Sequence, residues 1–158
     1  MKDIDKSDAP LGYYAVEPIE GCLECAFDGC LSMTHREMLA AAKQMASEHV
    51  SGGRVRTVAI FTDKRYNVLS VAGNMYARTH PQQARWAEKL GVPHKQCLHA
   101  EIRSAIMLTK SGKAGKAKYL YIAAVSEAGN VLCAKPCVVC QMMLDESFTE
   151  IEVFWTKG

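Results

Sequence analysis

The alternation of apolar and polar positions divides the chain into recognisable elements. VRTVAIF (55–61) is a short, nearly continuous apolar run rich in β-branched residues, and it reads as a buried strand. VLSVAG (68–73), across the polar turn KRYN, reads as its antiparallel partner. KYLYIAAV (118–125) has the strongest strand pattern, and EIEVFW (150–155) is a last strand. HREMLAAAKQMASEHV (35–50), capped by Thr34 and ended by SGGR, follows helical spacing and sets Met38, Ala42, Met45 and His49 near one face. A short helix is expected from His80 to Leu90, stopped by Gly91 and Pro93. Another is expected from Leu98 to about Lys110, with Ile102, Ala105, Ile106 and Thr109 three or four apart. A last helix is expected to run to about Asp145, with Pro136 in its first turn.

This order of helices and strands predicts a layered α/β domain with a mixed sheet. Residues 1–34, with Pro10, Pro18 and several glycines, are expected to be an irregular, Cys-rich segment ahead of a folded domain over 35–158. A chain of 158 residues buries an adequate core without staples, and 49% hydrophobic with 23% charged residues places it among globular proteins. A net charge of +2 and 8% aromatic residues provide neither the basic groove nor the stacking platforms of a polynucleotide binder. No segment approaches the roughly 20 apolar residues that span a bilayer. MKDIDKSDAP has no apolar segment behind it, so no signal peptide is expected and a cytoplasmic location is. In that compartment thiols stay reduced, and seven cysteines point towards metal rather than disulfides. Lys110, Lys113, Lys116 and Lys118 read as a solvated loop, and Trp86 and Trp155 as core or interface residues.

AKPCVVC (134–140) is chemically ambiguous by itself. A C-x-x-C pair can be half of a structural zinc ribbon, a redox pair, or two ligands of a catalytic metal. Its surroundings narrow the choice. The helix over 98–110, the strand 118–125 and the helix after Pro136 bring two helix N-termini side by side, provided both helices lie on one sheet face. LHAEIR opens the first and PCVVCQ the second. His99 then offers an imidazole and Cys137 and Cys140 two thiolates, a set that Zn²⁺ accepts with its fourth position open. The positive ends of both helices favour ionised sulfurs. Two thiolates and a neutral His cancel the metal's charge, so a bound water needs a base, and Glu101, two residues from His99, can serve as one.

HAEIRSAI with PCVVC, whose first Cys lies 38 residues beyond His99, resembles the H-x-E…P-C-x-x-C signature of the zinc-dependent cytidine and deoxycytidylate deaminases. THP ahead of LHAE, and KPC, are similar to the small phage and bacterial deoxycytidylate-type members. The resemblance covers roughly residues 35–156. It implies a three-layer α/β/α fold with a mixed central sheet of four strands, or five, and Zn²⁺ held by His99, Cys137 and Cys140. It also implies hydrolytic deamination at C4 of cytosine by zinc-activated water, with Glu101 as proton shuttle. The Ala100 backbone N–H would meet the base carbonyl, and Asn74 the sugar.

The expected reaction is dCMP to dUMP, on a free small-molecule nucleotide, by a homo-oligomeric enzyme without nucleic-acid or membrane partners. A cytidine or deoxycytidine deaminase is the nearest alternative, and a polynucleotide cytosine or adenosine deaminase a further one. Arg78, Arg103 and Lys135 are candidates to meet a phosphate, each against the simpler reading of a solvated cation. Cys22, Cys25, Cys30 and His35 have spacing suited to a second, structural zinc, against free or buried thiols.

Overall fold

The computed structural model describes residues 4–5, 12–16, 33–92 and 97–158. Its elements run β1 (Ile4–Asp5), β2 (Tyr13–Val16), α1 (Met33–Glu48), β3 (Val55–Thr62), β4 (Val68–Gly73), β5 (Met75–Thr79) and α2 (Pro81–Lys89). They continue with β6 (Cys97–Leu98), α3 (Ala100–Lys110), β7 (Tyr119–Ser126), β8 (Val131–Leu132), α4 (Val138–Ser147) and β9 (Glu152–Thr156). The main sheet has the order β1-β2-β9-β7-β3-β4, with β8 also paired to β7. β7 and β9 are parallel, as are β2 and β9, whereas β3 is antiparallel to both β4 and β7. β5 and β6 form a separate two-stranded ribbon.

The middles of the central strands, Val58–Phe61 and Leu120–Val125, are apolar because both faces of the sheet are covered. Along β7, Leu120, Ile122 and Ala124 join one buried cluster with Ile102, Leu108, Val139 and Leu144, from α3 and α4. The alternate residues Tyr121, Ala123 and Val125 join the other, with Leu39, Ala42 and Ala46 of α1. Two-residue periodicity thus serves two helical layers at once, giving the three-layer architecture. α3 and α4 share one face, the condition that brings their N-termini together.

Several boundaries differ from the sequence expectations. The sheet is wider than four or five strands, because Ile4–Asp5 and Tyr13–Val16 of the segment expected to be irregular are strands. Tyr13–Val16 is too short to show a period, and its partner β9 lies at the far end of the sequence. Thr34 lies within α1 instead of capping it. The inward stripe of α1 is Leu39, Ala42 and Ala46, while Met45 is exposed. Leu98 belongs to β6, so α3 begins at Ala100. α4 begins at Val138, which puts Pro136 ahead of the cap rather than in the first turn.

Candidate active site

Those two late helix starts matter chemically. His99 and Cys137 are the N-cap residues of α3 and α4, and neither side chain makes a capping hydrogen bond. Each has extended backbone angles, which swing its side chain off the helix axis while its carbonyl accepts the first intrahelical bond. The His99 carbonyl takes Arg103 N–H at 3.0 Å and the Cys137 carbonyl takes Gln141 N–H at 2.9 Å. Cys140 lies one turn into α4 and is buried.

The three side chains converge. His99 Nδ1 lies 3.3 Å from Cys140 Sγ and 3.4 Å from Cys137 Sγ. The candidate ligand atoms of the three residues are all within 4.8 Å of one another. Tetrahedral zinc with ordinary Zn–S and Zn–N bonds sets a sulfur and a nitrogen about 3.5 Å apart. The observed separations therefore fit zinc with little movement. Among the described residues this is the one such group of three.

The electrostatics follow from the shared sulfurs. The Cys137 thiol is brought down to about 4, chiefly by the hydrogen bond it receives from Cys140, with burial opposing and His99 assisting. Cys140 is held well above the usual thiol range because it donates that bond and because it is buried. Without a cation, the Cys137 sulfur favours the thiolate and the Cys140 sulfur the thiol. Burial raises the Glu101 carboxyl, partly offset by the positive charge of His99.

Glu101 stands in the first turn of α3 at 5% exposure, and Ala100 beside it is fully buried. Both line a cavity of about 190 Å³ that also includes His99, Cys137 and Asn74. The Asn74 side chain is already engaged with β3: its Oδ1 accepts Thr57 N–H at 2.9 Å and its Nδ2 donates to the Val55 carbonyl at 3.1 Å. Its own carbonyl lies 2.6 Å from His49 Nε2. Asn74 therefore stitches β4 to β3 at the cavity wall.

The candidate phosphate contacts separate. Lys135 lines the cavity and is exposed. Arg103 instead donates Nη1 to the Gly73 carbonyl at 3.1 Å, on a groove shared with His49 and Met107. The Arg78 side chain lies outside the described residues. So do Cys22, Cys25 and Cys30. His35 is placed among Tyr66, Tyr119, Tyr121 and Phe154, with Nδ1 2.6 Å from the Tyr121 hydroxyl.

One buried group was missed in the sequence. Gln83 of α2 is fully buried, and its Oε1 accepts the His99 backbone N–H at 3.2 Å. Its signal was a polar residue four before Ala87 on the inward face of a short helix, which by itself names no partner.

A sequence profile of the family described as "Cytidine and deoxycytidylate deaminase zinc-binding region" matches residues 32–155. The match spans most of the chain, which therefore belongs to that family and is a zinc-dependent deaminase acting on a cytosine compound. A solved point mutant of cytidine deaminase from Mycobacterium tuberculosis is similar at 23% identity and a TM-score of 0.45, covering 75% of this chain and 80% of that one. No curated protein matches the chain in sequence. Among the described residues, no helix is long and apolar enough to cross a membrane.

Proposed function

We propose that the chain hydrolyses the exocyclic amine of a free cytosine nucleotide, converting dCMP to dUMP. His99, Cys137 and Cys140 would hold the zinc, which when bound supplies a water acidic enough to react at neutral pH. Glu101 takes one proton from the incoming water and passes it to N3 of the base, then takes the second from the new hydroxyl on C4 and gives it to the departing amine nitrogen. A carboxyl raised by burial suits this alternation, since burial makes it a better proton acceptor than an ordinary carboxylate. The Ala100 N–H, at the first helical position where α3 itself offers no acceptor, is suited to receive the base carbonyl. Asn74 forms the wall beside the sugar, with one lone pair and one N–H beyond those used on β3.

The observation that carries this reading is the charge arrangement of the cavity. Among the described residues lining it, Glu101 is the one acid and is buried, whereas Lys135 is the one lysine or arginine and is exposed. This supports a reading with proton chemistry at depth and a cation on the solvent side to meet the phosphate.

The test incubates zinc-loaded protein with deoxycytidine, dCMP, dCTP and a cytosine-containing oligonucleotide, and follows the loss of cytosine absorbance. dCMP is expected to turn over fastest. Turnover of the oligonucleotide alone refutes the free-nucleotide reading. Glu101→Gln is expected to keep zinc and lose about 10²–10⁴-fold in kcat, the usual contribution of a positioned acid–base group. A variant of undiminished kcat removes Glu101 from the mechanism.

A further inference from the structure

A glutamine with no exposed surface is uncommon, and such burial requires satisfied polar atoms. For Gln83, part of this is met by a backbone group, the N–H of His99. That N–H precedes the first turn of α3, so the helix provides no acceptor for it. The His99 side chain supplies none either, being turned towards the sulfurs. Upstream, β6 is two residues long, and its recorded pairing with β5 ends at Leu98. The His99 peptide is thus held between Gln83 on its N–H side and Arg103 N–H on its carbonyl side.

The helix that presents Gln83 is itself anchored. α2 starts on Pro81, and its cap residue His80 accepts Gln82 N–H through Nδ1 at 3.1 Å. Ala87 is fully buried. Lys89 reaches α4, with Nζ 2.7 Å from Glu146 Oε2. One short helix therefore touches the start of the helix after His99 and the end of the helix bearing Cys140. None of the described residues lining the catalytic cavity comes from α2.

We propose that Gln83 is a positioning residue for the metal: by fixing the His99 backbone it aims Nδ1 at the position shared with Cys137 and Cys140. This rests on the reading of His99 as a zinc ligand. A rotation of the Leu98–His99 peptide would carry the imidazole away from both sulfurs, because no helical hydrogen bond restrains the N–H side of His99. Outer partners of metal ligands commonly contribute ten- to hundredfold in metal affinity.

The experiment compares wild type, Gln83→Met, which keeps the length but offers a weak acceptor, and Gln83→Glu. Held protonated by burial, the Glu variant retains a carbonyl oxygen. Zinc affinity is read by competition with a chromogenic chelator, and site geometry by the visible spectrum of the Co²⁺-substituted protein. Gln83→Met is expected to bind zinc about ten- to hundredfold more weakly and to shift the Co²⁺ bands, and Gln83→Glu to restore both towards wild type. Leu108→Ala, a core variant remote from the ligands, is expected to keep wild-type affinity and spectrum despite its lower stability. Should Gln83→Met fail to fold, Gln83→Asn, one methylene shorter, takes its place with the same expectation. Wild-type affinity and spectrum in the variant lacking the acceptor, or no restoration by Glu, overturns the proposal. A wild type that binds no zinc instead refutes the ligand reading beneath it.

Discussion

Thr156 allows the polar support of the cysteine loop to be tested without changing its shape. The side chain is 4% exposed, and its Oγ1 accepts Ala124 N–H at 3.3 Å while donating to the Leu132 carbonyl at 2.8 Å. Thr156→Val replaces the hydroxyl by a methyl of nearly equal volume and keeps a β-branched residue in a strand, so neither cavity nor propensity enters. What is lost is one hydrogen bond to the Ala124 N–H and one to the Leu132 carbonyl, groups that also face each other across the β7–β8 pair. At about 0.5–1.5 kcal/mol net for each bond, the expected loss is about 1–3 kcal/mol. For a chain of this length that lowers Tm by about 2–12 °C. Calorimetry and urea unfolding with chelator present measure the loss, and Thr156→Ser, which keeps the hydroxyl, is expected to lose much less. The backbone bond from Ala134 N–H to the Thr156 carbonyl, 2.8 Å long, survives the substitution. The loop carrying Cys137 should therefore stay in place, and the loss at saturating zinc should match that with chelator within about 0.5 kcal/mol. A loss below about 0.5 kcal/mol in both conditions would show that these two hydrogen bonds contribute nothing net.

Two further outcomes follow from the two cores. Leu108 is fully buried in the cluster between the sheet and α3, so Leu108→Ala should cost about 3–5 kcal/mol in urea unfolding, and a loss under about 1.5 kcal/mol would mean that the layer collapses to fill the gap. His35, in the α1 layer, is held below its ordinary value of 6.5 by burial, so the fold favours the neutral ring. The unfolded chain then binds the extra proton more readily, and the stability present above pH about 6.5 is lost as pH falls through 6.5 towards the folded value. Urea midpoints at pH 7.5 and 5.5 should fall more in wild type than in His35→Phe, and equal slopes would refute the assignment.

The strands that were legible are those buried on both faces, because continuous apolar runs survive whatever their partners are: β3, β4, β7 and β9 lie where the pattern put them. The strands that were not legible depend on a distant partner or on very few residues. Tyr13–Val16 becomes a strand by lying parallel to β9, and β5, β6 and β8 are short pieces whose pairing no local pattern announces. The helix starts were misplaced by two residues at the two positions where chemistry competes with propensity. His99 and Cys137 stand at the cap positions where Ser, Thr, Asp or Asn would ordinarily satisfy the backbone. Neither His nor Cys is a favoured cap, so propensity extends each helix too far.

That error is informative about why the site forms at all. A side chain inside a helix points along one face and back towards the N-terminus, whereas a cap residue with extended backbone leaves the axis. Placing His99 and Cys137 within the helices would hold their side chains to the helical faces, against the sheet or along each other. Placing them at the caps turns both outward into the gap between two N-termini, where Cys140, one turn further in, closes the third side. The backbone then lacks the cap hydrogen bond at both ends. At α3 the cap residue itself is held from elsewhere, by Gln83 on the His99 N–H. At the cysteine loop Gln141 Nε2 donates to the Pro136 carbonyl at 2.7 Å and the Thr156 carbonyl takes Ala134 N–H. Groups remote in sequence thus fix the backbone around both cap residues, which leaves an imidazole and a thiol within reach of one ion.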